Sequence, residues 1–122
     1  LKREKLDELT SRLTDKFNAI TRECGAVPEV NVVFLYPEIS MDLKERVVRV
    51  AVEAAESIAL QPVTEKTGGG SDASIITGHG IRCANLGTGM SNVHTTDEYI
   101  KIKDLENDAR LVLAIIQQAA RK

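Results

Sequence analysis

The sequence is poor in the residues that build metal sites and in the features that mark membrane or nucleic-acid-binding proteins. It has two His and two Cys, whereas a closed zinc site takes about four ligands from His, Cys and carboxylates. No apolar run approaches the ~18 residues of a membrane span. Sixteen Lys and Arg against eighteen Asp and Glu give a net charge of −2, so there is no basic field for a phosphate backbone. We expect no membrane insertion, no nucleic-acid partner and no complete metal site in this chain.

Other absences concern compartment and completeness. Cys24 and Cys83 lie far apart, with no CxxC spacing, and no charged segment followed by an apolar one opens the sequence. We therefore expect free thiols and a cytoplasmic protein. The sequence begins without Met and runs almost directly into a helical pattern, which is typical of a fragment of a longer protein.

The first half alternates helical and strand-like segments. Apolar residues at spacings of three and four predict an amphipathic helix with one buried stripe, made of Leu6, Leu9, Leu13, Phe17 and Ile20. Gly25 stands where the C-cap of this helix is expected. The β-branched and aromatic run 30–36, stopped by Pro37, predicts a strand, and 62–64 predicts a second. Ser40 or Asp42 can cap a helix between them, and Asp42 and Glu45 have the spacing of a capping box. Because a two-stranded sheet is marginal, this half needs strands from elsewhere.

The second half begins with a glycine-rich loop and ends in a helix. Ser71 can cap a short helix over 72–77, residues 81–86 predict a strand, and 87–97 form a polar loop. Asp104 can cap the last helix. Helices alternating with strands on both halves of the chain predict an α/β fold.

Three features of this half could bind a ligand, and each has a plainer explanation. The glycines Gly68, Gly69 and Gly70 can take positive φ angles and approach a ligand closely. A phosphate-binding loop, however, needs a Lys followed by Ser or Thr after its last Gly, and here Asp72 stands at the position of that Ser or Thr. The glycine spacing is also not that of a dinucleotide-binding site. A nest of backbone amides for a carboxylate remains, or packing alone. Lys66 could meet a bound anion or be solvated, and His94 lies in a polar loop, where most single His residues have no function.

Four short segments, in their order along the chain, resemble a known family. Residues 66–73 (KTGGGSDA), then 80–81, 85–89 (NLGTG) and 92–100 (NVHTTDEYI) are similar to the C-terminal part of the di-zinc exopeptidases that include tripeptidase T, carboxypeptidases and aminoacylases. The likeness is closest to the peptidase T-like branch. It covers the whole chain but only about the last third of a family member.

The resemblance implies a fold, a set of site residues and partners. Residues 1–66 would belong to a ferredoxin-like lid that forms homodimers, and 67–122 would be the C-terminal segment of an α/β catalytic domain. His94 would bind one of two zinc ions, while the general base and the other ligands would lie outside this chain. The substrate carboxylate would be bound by Lys66, Gly68, Gly69, Gly70 and Ser71.

The resulting hypothesis is a portion of a zinc exopeptidase that hydrolyses peptide or N-acyl amide bonds by metal-activated water, with the fragment inactive alone. The alternative is a non-catalytic dimerisation or binding module, or a truncated family member. An unrelated small α/β domain, whose glycine loop binds an anion without metal, is a third interpretation. The sequence does not choose among tripeptide, dipeptide and N-acyl amino acid substrates.

Overall fold

The computed structural model describes residues 2–121, so Leu1 and Lys122, the outer ends of the two predicted regions, lie outside the described residues. It contains four helices, α1 (Arg3–Glu23), α2 (Arg46–Ser57), α3 (Asp72–Gly78) and α4 (Ile102–Ala120). Long irregular segments join them. No helix within the described residues is long and apolar enough to cross a membrane.

The predicted strands are not paired. Runs 30–36, 62–64 and 81–86 lie outside the helices, and the only bridge between strand-like residues in 2–121 is the antiparallel pair Ser91–Tyr99. A strand forms only where a neighbour takes its N–H and C=O groups. The prediction of strands was therefore wrong for residues 2–121.

Helix α1 has the predicted end but not the predicted burial. Gly25 has φ +70°, and two bonds close a C-terminal motif, from Ala26 N to Thr21 O at 2.8 Å and from Gly25 N to Arg22 O at 3.2 Å. The apolar stripe, expected to be buried, is exposed: Leu9 is 42%, Leu13 51%, Phe17 55% and Ile20 57% accessible. Within residues 2–121 no other helix packs on α1.

Helix α2 starts later than predicted. Asp42 and Glu45 do interact, because Glu45 Oε1 accepts a hydrogen bond from Asp42 N at 3.1 Å. Asp42 Oδ1, however, accepts from Lys44 N at 2.8 Å, so this side chain closes a turn instead of capping a helix. The helix begins at Arg46 with Glu45 at the N-cap position and no side-chain cap.

The buried apolar residues lie where α2 packs on α4. Ala54 is fully buried, Ala55 is 4% and Ala114 7% exposed; such small side chains let two helices approach closely. Gln118 Nε2 donates to Glu53 Oε2 at 2.7 Å and joins the same helices. Since α2 lies in the first predicted region and α4 in the second, the two regions are in contact; the boundary between them stays a prediction.

Candidate functional site

Ser71 joins the glycine loop to the segment that leads to His94. Its backbone is extended (φ −151°, ψ 148°) and its hydroxyl accepts from Ala73 N at 3.2 Å, which confirms the predicted N-cap of α3. The same hydroxyl donates to Asn85 Oδ1 at 3.1 Å. One side chain therefore caps α3 and fixes the loop against the segment 81–90.

The glycine triplet does not use positive φ angles. Among the described glycines these occur at Gly25, Gly80 and Gly89, so the expectation for the triplet was wrong. Gly68 and Gly69 border open space, with no atom within 4 Å of where a Cβ would stand. At Gly70 a Cβ would collide with the hydroxyl and ring of Tyr36. Close packing leaves no room for a Cβ at 70 unless Tyr36 moves, whereas 68 and 69 leave the backbone accessible.

The dipeptide Tyr36–Pro37 contacts both ends of α3. Tyr36 lies against Gly70, before the helix, and Pro37 Cγ lies 3.0 Å from where a Cβ on Gly78 would stand, at its last residue. The end of run 30–36 thus packs beside the glycine loop. Sequence reasoning missed this contact, because nothing in the local pattern relates positions so far apart.

The loop of His94 is closed by hydrogen bonds at its base. Ser91 N donates to Tyr99 O at 2.9 Å, and Tyr99 N donates to Ser91 O at 3.2 Å. His94 has φ +67°, an uncommon conformation for a residue with a side chain. Its backbone N–H donates to Glu98 Oε2 at 2.7 Å, which holds this conformation. The imidazole is exposed and makes no hydrogen bond within residues 2–121.

Short-range polar contacts fill the rest of this loop. Thr95 Oγ1 donates to Asn92 O at 2.7 Å and accepts from Asp97 N at 3.2 Å. Asn92, at φ +53°, donates from Nδ2 to Asp97 O at 3.3 Å. Asp104, predicted as the cap of α4, lies instead in the first turn of that helix, where its side chain faces Gly89. The loop is therefore anchored on α4.

A bidentate ion pair joins the turn before α2 to the segment 81–90. Arg82 Nε donates to Glu45 Oε2 at 2.7 Å and Nη2 to Glu45 Oε1 at 2.6 Å, while Nη2 also donates to Ser40 O at 2.8 Å. The bond from Arg82, and secondarily that from Asp42 N, holds the pKa of the Glu45 carboxyl below its usual value. No sequence signal predicted this pair.

The structure places the predicted site residues in two groups. Gly68, Gly69, Gly70 and Ser71 form one loop, tied through Asn85 to the segment before His94. Lys66 is exposed and has no polar contact within the described chain. His94 lies in its own loop, and residues 2–121 hold no group of three or more His, Cys, Asp or Glu that could bind a metal. An imidazole is a zinc donor, so His94 fits zinc as one ligand of a site that residues outside 2–121 would complete.

These features agree with a family assignment. Residues 10–118 match the model of Peptidase family M20/M25/M40, and the chain belongs to that family. The expected likeness to its peptidase T-like members is confirmed.

Relatives and solved structures give the scale of the match. The chain is 34% identical over 118 residues to an uncharacterized protein, YqjE, of Bacillus subtilis, covering 97% of the chain and 32% of that protein. It is 28% identical to a Peptidase T of Parabacteroides distasonis, and the match covers 98% of the chain and 29% of that protein. The crystal structure of the aminopeptidase PepT from Bacillus cereus superposes with a TM-score of 0.82 at 38% identity, and the match covers 99% of this chain and 32% of PepT. This superposition confirms a partial α/β fold, and the chain spans about a third of the length of these proteins.

Proposed function

We propose that the full-length protein containing this chain is a zinc-dependent exopeptidase that hydrolyses peptide or N-acyl amide bonds near a chain end. Membership of the peptidase family and the likeness to an aminopeptidase support this proposal. The observation that carries it is the hydrogen bond from Ser71 to Asn85 at 3.1 Å. It couples the glycine loop to the segment leading to His94, and this supports a site shared between substrate and metal.

In this proposal the chain supplies binding groups and no general base. His94 would be one ligand of one of two zinc ions, with its exposed imidazole available for ligation. Zinc would lower the pKa of a bound water towards about 7. The accessible backbone at Gly68 and Gly69 would bind the substrate carboxylate, Lys66 would add a positive charge, and Ser71 would hold the loop in place.

The same proposal covers the domains of the full-length protein and its pairing. We divide the chain into a partial lid, 1–66, and the C-terminal segment of the catalytic domain, 67–122, with α2 on α4 as the contact between them. The protein would be a cytoplasmic homodimer that pairs through the lid. The chain alone would be inactive, since at least two more zinc ligands and the base must come from elsewhere.

The test compares the two histidines in the full-length protein. His94→Ala should lower the bound zinc by about one ion per chain and abolish peptidase activity, because removing one of about four ligands opens the site. His79→Ala is the control: His79 is exposed in the turn after α3 and should leave zinc content and activity as they are. Equal effects of both substitutions would contradict the assignment of His94.

A non-catalytic association module is the second candidate, favoured by the exposed apolar stripe of α1. Contiguous apolar surface of this kind is typical of an interface. Sedimentation of the isolated chain tests this candidate: a folded, strictly monomeric species would argue against pairing through this face. Chelator-sensitive peptidase activity in the pure chain would instead overturn its proposed inactivity.

A further inference from the structure

The ring of Tyr36 borders the glycine loop. The loop and the ring approach so closely that a Cβ at Gly70 would displace the ring. Tyr36 is nevertheless 41% exposed, so it is packed against the loop on one side and open to solvent on the other. Within residues 2–121 its hydroxyl has no hydrogen-bond partner, in contrast to the nearby hydroxyl of Ser71.

Counting the donors around the loop shows which are free for a ligand. The Ser71 hydroxyl donates its proton to Asn85 Oδ1 and accepts from Ala73 N, so it has no proton left to donate. The backbone on the open side of Gly68 and Gly69 is not covered by other described atoms. The phenol of Tyr36 is thus a free side-chain donor directly beside accessible backbone.

The position of Tyr36 is fixed by its neighbour. Pro37 is half-buried and packs against Gly78 at the end of α3, with Cγ 3.0 Å from where a Cβ would stand. Proline locks its own φ and restricts the residue before it to extended conformations. The backbone of Tyr36 is thus restrained, and its ring packs against Gly70, so a ligand at the loop would meet the phenol beside that glycine.

We propose that Tyr36 is a substrate-binding residue whose phenol O–H donates a hydrogen bond to the carboxylate of a peptide held at Gly68–Gly70. This inference rests on the proposed function. A bond to an ionised acceptor is stronger than one between neutral groups, and losing it weakens binding by about tenfold or more. The bond would be present in the ground state and the transition state alike, so its loss raises KM and leaves kcat nearly unchanged.

The experiment removes only the hydroxyl, in the full-length protein. Tyr36→Phe keeps the ring that packs against Gly70. With trialanine as substrate, KM should rise about tenfold at constant kcat. The inhibition constant of alanyl-alanine, which carries the carboxylate, should rise by the same factor, while that of alanyl-alanine amide should not change. Tyr99→Phe is the matched control, since Tyr99 is half-exposed and its contacts in the loop of His94 are made by the backbone.

Each outcome separates this inference from the function it rests on. An unchanged KM in Tyr36→Phe overturns the role of Tyr36 while peptidase activity stands. Equal weakening of the acid and the amide overturns the assignment to the carboxylate and leaves a packing effect. A wild-type protein that hydrolyses no peptide refutes the proposed function instead, and calorimetric titration with alanyl-alanine then still decides whether Tyr36 contributes to carboxylate binding.

Discussion

Three glycines form a graded series that tests how the loop of His94 is held. Gly25 and Gly89 have nearly equal positive φ angles, +70° and +73°. A Cβ on Gly25 would meet nothing within 4 Å, whereas one on Gly89 would stand 3.0 Å from Asp104 Cβ and 3.1 Å from Cγ. Gly87 has neither a positive φ nor an atom within 4 Å. Alanine at the three positions therefore separates backbone strain from steric conflict.

The expected free energies follow from these environments. An alanine in the left-handed region costs about 1–2 kcal/mol, which is the whole effect expected for Gly25→Ala. Gly89→Ala adds the conflict with the first turn of α4, and forced packing costs about 1–3 kcal/mol, for a total of about 2–5 kcal/mol. Gly87→Ala should stabilise by about 0.4–1 kcal/mol, because it restricts only the unfolded chain.

The assay is urea unfolding followed by far-ultraviolet circular dichroism, with the denaturant slope compared across variants. Gly89→Ala must be the least stable, Gly25→Ala intermediate and Gly87→Ala at least as stable as the wild type. If Gly89→Ala costs no more than Gly25→Ala, Asp104 does not confine the loop. If Gly87→Ala lowers the stability as much as Gly25→Ala or Gly89→Ala does, the φ angle does not determine the loss of stability.

Three further predictions concern the elements around the site. Ser71→Ala should cost about 1 kcal/mol in urea unfolding through loss of the α3 cap, and Ser71→Asp should recover most of it; no loss would exclude the cap. Arg82 lowers the pKa of Glu45 in the folded protein from its usual 4.5. The ion pair therefore stabilises the fold above pH 4.5, and this stabilisation is lost as the pH falls through the lowered pKa. Wild type should thus lose more stability than Glu45→Gln on acidification, and equal losses would contradict the ion pair. Ala54→Leu should cost about 1–3 kcal/mol by overpacking and speed hydrogen exchange in α4; unchanged exchange would refute the packing.

Local signals predicted the helices well. The apolar spacing and Gly25 indicated α1 and its end, and Ser71 marked the start of α3, because periodicity and caps act within a few residues. Asp42 and Asp104 were wrongly predicted as helix caps for the same reason. Their side chains found other partners, Lys44 N and the surroundings of Gly89, and a sequence does not show which of several nearby groups an Asp will choose.

Contacts between residues far apart along the chain could not be predicted from the sequence. The prediction of a strand depends on a partner, and runs 30–36 and 81–86 have none within the described residues. The approach of Tyr36 to Gly70 and the pair Glu45–Arg82 join positions far apart along the chain, with no periodic pattern to reveal them. The motif around His94 indicated a site by resemblance, but the bond from His94 N to Glu98 became visible only in the structure.

The loops at the candidate site are held by contacts of their own rather than by a core. The described residues bury only three apolar side chains, Ala54, Ala55 and Ala114, and none lies in the loop of His94. That loop keeps its left-handed backbone through Glu98 and the pair Ser91–Tyr99, and the glycine loop is held through Ser71 and Tyr36. All of these contacts are made between described residues of this chain, so none of them uses an atom from the rest of a catalytic domain. The proposed inactivity of the isolated chain therefore follows from the ligands and base it lacks, not from a failure of its loops to take shape.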